Sequence, residues 1–211
     1  MNEIRIKTVN LAVAIKNKIV MQTATEQSIR NFLLNKTVSG IEFFIINEKY
    51  YVFDEARIWV IDAGVEIGLG EERFCFCWDP EKEIYAHHFG KMADLLDDVH
   101  PADLDDSNPA GIKSLVGQKI TDVQMQWNWY SDLDENFEPL EHKNYIPVEL
   151  IITFENGHTL QLAAVDYGID VVNKKMKNVV FDSERSFLVT LNHVMKIDTE
   201  NELGDEIEER V

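Results

Sequence analysis

The sequence predicts an α+β fold built of two diverged, duplicated antiparallel-sheet units with a few short helices. Three observations carry that expectation. Val148, Leu150, Ile152 and Phe154 alternate with more polar residues up to Asn156-Gly157, and Leu160, Leu162 and Ala164 alternate after it. Period-two spacing on both sides of an Asn-Gly pair predicts a hairpin closed by a tight primed turn, which needs φ > 0 at both central residues. A weaker form of the same pattern stands upstream, where Val65, Ile67 and Leu69 run toward Gly70-Glu71-Glu72-Arg73 and Phe74, Phe76 and Trp78 alternate back, here with a longer turn expected. Finally, the stretches leading into the two hairpins match in spacing: NKTVSGIEFFI from Asn35 sets Val38 and Ile41 where GQKITDVQMQW from Gly117 sets Ile120 and Val123, and Leu34 falls on Val116.

In chain order, Ile4, Ile6, Val9, Leu11, Val13 and Ile15 are mostly period two and read as one or two strands. A helix follows from Thr23, with Thr25 as N-cap and Ile29, Phe32 and Leu33 as its apolar stripe, ending near Asn35. Thr37 to Ile46, Tyr50 to Phe53 and Arg57 to Ile61 are runs of β-branched and aromatic residues and read as strands. Lys91 to Asp98 is a short helix candidate with Met92, Leu95 and Leu96 inward. Asp97 to Pro109 holds five aspartates, two prolines and no Lys or Arg, the composition of a solvated connector. The expected organisation is therefore an N-terminal half over 1–99, a connector over 100–110, a C-terminal half over 111–197 and an acidic tail over 198–211. In the last part of the C-terminal half, Asn178 to Phe181 reads as a strand. Asp182 or Ser183 then caps a helix with Phe187, Leu188, Leu191 and Val194 on one face.

Charge narrows the partners. The chain of 211 residues has a formal net charge of −18. Residues 1–36 are locally basic, so the excess of acid lies in the remainder. Nucleic acid and anionic membrane surfaces, which are bound through Lys and Arg, are not expected partners. A basic protein is. No long uncharged apolar run predicts a membrane span, and no secretory pattern opens the chain. With two cysteines one residue apart, a disulfide between them would be strained, and a reduced, cytoplasmic setting is the expectation.

Candidate chemistry is sparse, and no cofactor is expected. Cys75, Cys77, His87 and His88 form the one metal-like grouping, but paired zinc thiolates usually flank a loop of two to four residues. Alternation with Phe74, Phe76 and Trp78 instead puts the two thiols on one face of a strand and the aromatics on the other. Neither Asp103, Asp105 and Asp106 nor Asp132, Asp134 and Glu135 has the glycine and terminal glutamate of a calcium loop. No glycine-rich phosphate loop or nucleophile elbow occurs. More suggestive are Trp127, Trp129 and Tyr130, followed by Asp132, Asp134, Glu135 and Glu138: aromatic anchors beside an acidic rim suit a protein-binding surface, although tryptophans at alternate strand positions also suit a core. The leading expectation is an acidic binding module, an inhibitor or immunity-type protein neutralising a basic partner such as a nuclease toxin. The alternatives are a metal-dependent enzyme using Cys75, Cys77, His87 and His88, and a structural homo-oligomer subunit.

Overall fold

The computed structural model describes residues 24–46, 51–53, 58–82, 84–102, 111–132, 134–136, 138–140, 142–165, 177–178 and 187–199. The expected strands of residues 4–15, the cap at Asp182 or Ser183 and the tail beyond residue 199 lie outside these. Among the described residues, two antiparallel sheets make up most of the regular structure, with one helix over residues 24–33 and two short 3-10 turns at Met92–Asp94 and Ile112–Leu115.

The first sheet contains β1 (Gly40–Ile45), β4 (Gly64–Leu69), β5 (Glu72–Asp79), β6 (Ile84–Phe89) and β7 (His100–Ala102), in the order β6-β5-β4-β1-β7. The second contains β2 (Tyr51–Phe53), β3 (Ile58–Ile61), β8 (Ile120–Tyr130), β9 (Asn144–Phe154), β10 (Thr159–Ala164) and β12 (Phe187–Leu191), in the order β2-β3-β12-β10-β9-β8. A small parallel pair, β11 (Lys177–Asn178) with β13 (Asp198–Thr199), stands apart. The sheets share one core. Phe76 of β5 meets Phe187 of β12 edge-on at 5.2 Å, and Tyr85 of β6 lies 5.1 Å from the same ring. Val65, Ile67 and Phe74 from one sheet and Leu150, Ile152, Leu160 and Leu162 from the other are fully buried in that core. The helix closes one end through buried Ile29 and Leu33, and Arg30 bridges to Asp122 of β8 at 3.2 Å. Thr25 lies inside this helix rather than capping it.

The pairing of the two sheets is in register. Ile41 faces Ile67 and Ile67 faces Phe74, as Val123 faces Ile152 and Ile152 faces Leu160. The fourth strand continues the match, with Phe74 facing Phe89 and Leu160 facing Leu191. At the midpoint, Thr37 pairs with Lys119, the residue that corresponds to it. Four backbone hydrogen bonds flank this bridge as two reciprocal pairs. Val38 N donates to Gln118 O at 2.9 Å and Ile120 N to Lys36 O at 3.0 Å; Asn35 N donates to Ile120 O at 2.9 Å and Gly117 N to Val38 O at 2.8 Å. Asn35 and Gly117, again corresponding positions, both adopt the left-handed region, at φ 64 and 84.

Several expectations are corrected. The Asn156-Gly157 hairpin is not a two-residue primed turn: Gly157 N reaches Phe154 O at 2.9 Å, Phe154 N reaches His158 O at 2.9 Å, and only Gly157 has positive φ, at 81. That is a three-residue loop with a glycine bulge. The upstream turn is the tight one, since Leu69 pairs with Glu72 across Gly70-Glu71. Lys91 to Asp98 forms a single 3-10 turn rather than a helix. Phe187 to Leu191 is strand β12, not a helix, and all five of its residues are buried. His100 to Ala102, at the start of the acidic connector, pairs with β1.

Because the Phe187 ring joins both sheets, Phe187→Ala is expected to cost about 3–5 kcal/mol in equilibrium urea unfolding. A loss below about 1 kcal/mol would show that the sheets do not depend on that contact.

Candidate binding surface

Strands β8 and β9 run on past the residues that match β1 and β4 and form a projecting ribbon. Register shifts interrupt the ladder on the way, with Thr121 extra in β8 and Val148 extra in β9. The ribbon does not stand free. Tyr130 and Ile146 pack on Ile84 and Val148, so the end of the ribbon lies against β6 of the opposite sheet. The first half makes the reverse exchange: β2 and β3 cross over, and β3 pairs with β12.

Trp127, Trp129 and Tyr130 are all half-buried, so the tryptophans are not core residues. Lys143 holds its ammonium 3.5 Å above the Trp129 ring, an arrangement in which the ring quadrupole attracts the charge. Burial, reinforced by the charge of Asp132, pushes the Tyr130 hydroxyl above its ordinary pKa. Close to it, Lys82 is bound to Asp79 at 2.8 Å. Burial raises the Asp79 carboxyl, but the bonds from Lys82 outweigh it and leave the pKa lowered.

The acidic loop is a built turn. Asp134 N donates to Glu138 O at 2.9 Å and Leu140 N to Asp132 O at 2.8 Å. Asp134 Oδ1 accepts from Asn136 N and Glu138 N at 2.7 and 3.0 Å, and these amides hold its carboxyl below the usual range. Asp132 accepts from Asn144 Nδ2 at 3.1 Å. Asp132 and Asp134 are therefore partly occupied in shaping the loop. Glu135 and Glu138 are exposed, and among the described residues neither side chain has a partner. Of the seven residues expected at a binding surface, the structure brings the aromatics and acids together along one ribbon and leaves these two glutamates most available.

The metal-like grouping does not converge. Cys75 faces His88 across β5 and β6, whereas His87 faces Phe76 on the other side of the sheet and meets Phe89 edge-on at 5.5 Å. Among the described residues no group of three or more His, Cys, Asp or Glu is placed to hold a metal ion. Cys75 and Cys77 are fully buried free thiols. Burial pushes Cys77 up to about 12, and Cys75 is raised further by burial, by Cys77 and by Glu66. Thiolate chemistry needs the opposite environment. Among the described residues no helix is long and apolar enough to cross a membrane.

Sequence reasoning missed two buried polar clusters on the outer sheet faces. Glu66 Oε1 lies 3.1 Å from Arg73 Nε, and its Oε2 accepts from Met92 N at 2.7 Å. Gln161 donates to Glu149 Oε1 at 2.7 Å and accepts from Met195 N at 2.8 Å. The available signal was a polar residue at an alternate position of an otherwise apolar strand, which sequence alone reads as solvent-facing. His158 likewise is not simply solvated, as its Nδ1 lies 3.3 Å from both Ser114 Oγ and Asn192 Nδ2.

No protein-family model, curated protein or solved structure matches this chain.

Both thiols are expected to resist an aromatic disulfide reagent at neutral pH in the native protein and to react fully once it is unfolded. Rapid reaction of either in the native state would restore the thiol-based reading.

Proposed function

We propose that this chain is an acidic protein-binding module that holds a basic partner through the β8–β9 ribbon, with neutralisation of that partner as the output; a cytosolic antidote to a basic toxin such as a nuclease fits this description. One observation carries the reading. Four strands of each half correspond, but they are joined differently: β1 reaches β4 through β2 and β3, which lie four residues (54–57) apart, whereas 13 residues (131–143) join β8 directly to β9. A turn of a few residues is enough to close such a hairpin. The connection of 13 residues is longer than such a closure needs, and Asp132, Asp134, Glu135 and Glu138 sit in it beside Trp127 and Trp129. Half-buried aromatics supply desolvated anchor area, while exposed carboxylates speed and orient the approach of a cation. The net charge of −18 favours such a partner over nucleic acid.

The matched registers and the reciprocal bonds about Thr37 and Lys119 also support our reading of the two halves as an internal duplication that has since diverged. On that reading, coexpressed fragments covering residues 1–102 and 103–211 should associate and recover the sheet signature by circular dichroism. Fragments that stay apart would count against it.

The functional proposal is tested by immobilising the protein, applying lysate of its native host at low salt and eluting with rising salt. A single stoichiometric basic protein is expected. Glu135→Lys with Glu138→Lys should weaken its retention by roughly tenfold or more, with the greatest effect at low ionic strength. Equal retention by this variant, or no specific protein retained, would overturn the proposal.

A further inference from the structure

The outer edge of the first sheet shows what the matching edge of the second can accept. In the first sheet β7 is seated antiparallel on β1, with Phe43 facing Ala102, Phe44 facing Pro101 and Ile45 facing His100. The register places Met125, Gln126 and Trp127 of β8 where β1 has Phe43, Phe44 and Ile45: Phe43 faces Val65 as Met125 faces Leu150. Among the described residues no strand pairs with that edge of β8, which is the last strand of its sheet.

An open edge of this kind is normally blunted by lysine, proline or an inward charge, because its unpaired backbone groups are a template for another strand. Here residues 124–127, QMQW, contain neither charge nor proline. The charged residue of β8, Asp122, is already engaged by Arg30 at the start of the strand. Across residues 124–127 the side chains alternate usefully. Gln124 and Gln126 are exposed, whereas Met125 is half-buried against the core and Trp127, just past the register shift, is half-buried as well. An added strand would find polar neighbours on one side and apolar ones on the other.

We propose that residues 124–127 of β8 take up an extended segment of the basic partner as an additional antiparallel strand. This rests on the functional reading above and specifies its mode of docking. Antiparallel addition runs the incoming strand so that its N-terminal side lies at the C-terminal end of β8, next to Asp132, Asp134, Glu135 and Glu138. The segment therefore carries its Lys or Arg residues N-terminal to alternating apolar residues. Main-chain bonds supply affinity and the alternation supplies specificity, the usual division of labour in strand addition. A second copy of this chain is the less suitable occupant, since each copy carries a net charge of −18.

The probe is a library of short peptides with lysines at the N-terminal end, followed by alternating apolar and threonine positions, screened against the intact chain at low salt. Selected peptides should slow hydrogen exchange at the amides of residues 124–127. Methylation of alternate peptide nitrogens, or moving the lysines to the C-terminal end, should weaken binding by about tenfold or more. Equal binding by the N-methylated peptide, still abolished by salt and by Glu135→Lys with Glu138→Lys, would overturn strand addition while leaving the acidic-surface reading standing. Failure of any library member or of a lysine homopolymer to bind would overturn both. Amides 124–127 already slow in the free monomer, or slow in a dimer seen by sedimentation, would assign the edge to the chain itself or to a second copy and overturn the proposal.

Discussion

Four backbone hydrogen bonds about the Thr37–Lys119 bridge fix how the two halves of this protein meet. They tie the residues just before β1 to those just before β8, so both sheets start from a common point and then diverge. Each strand entry is shaped by a left-handed residue, Asn35 in one half and Gly117 in the other. Such residues let the chain leave a helical turn and enter an extended run without steric cost, most easily for Gly and next most for Asn. Once the entries are fixed, alternation sets the registers, because a slip of one residue would turn every core side chain of a strand outward.

Within this frame the halves use different chemistry for similar jobs. In each, a buried side-chain oxygen receives the amide of a methionine that follows the fourth strand: Glu66 takes Met92 N–H at 2.7 Å, and Gln161 takes Met195 N–H at 2.8 Å. A buried amide left without a partner would cost on the order of 1–3 kcal/mol, so each of these side chains has a structural role. Gly64 faces Cys77 where Glu149 faces Ala163, and the difference is steric. A Cβ at Gly64 would lie 2.5 Å from Cys77 Cα, whereas the second sheet has room for a full carboxylate there, which burial holds above its usual pKa despite the bond from Gln161.

Much of the architecture was legible because period-two alternation marks a half-buried strand. Val65-Ile67-Leu69 and Leu150-Ile152-Phe154 announced both hairpins, and the correspondence of Val38 with Ile120 is visible in the sequence alone. Turn lengths were not legible, since Asn-Gly suits both a primed turn and a type I turn with a glycine bulge, and the neighbouring pairing decides between them. β12 was misread because Phe187, Leu188 and Leu191 satisfy a helical stripe as readily as a strand. A central strand covered on both faces loses its alternation and looks like any other short apolar run. For the candidate site, residue types and order were readable around Trp127 to Glu138, but exposure was not. The edge position of β8, the ribbon's contact with Ile84 and the use of Asp134 inside its own turn all arise from tertiary pairing.

The central claim is that the fold needs only its matched strands, while the longer connection between β8 and β9 serves binding. Replacing residues 131–143 by four residues, the number that separates β2 from β3, and then measuring both urea unfolding and retention of a basic partner tests that division directly. The account predicts a single cooperative unfolding transition close to that of the intact chain, with retention lost. A shortened chain that unfolds early, or one that still holds the partner, would contradict it.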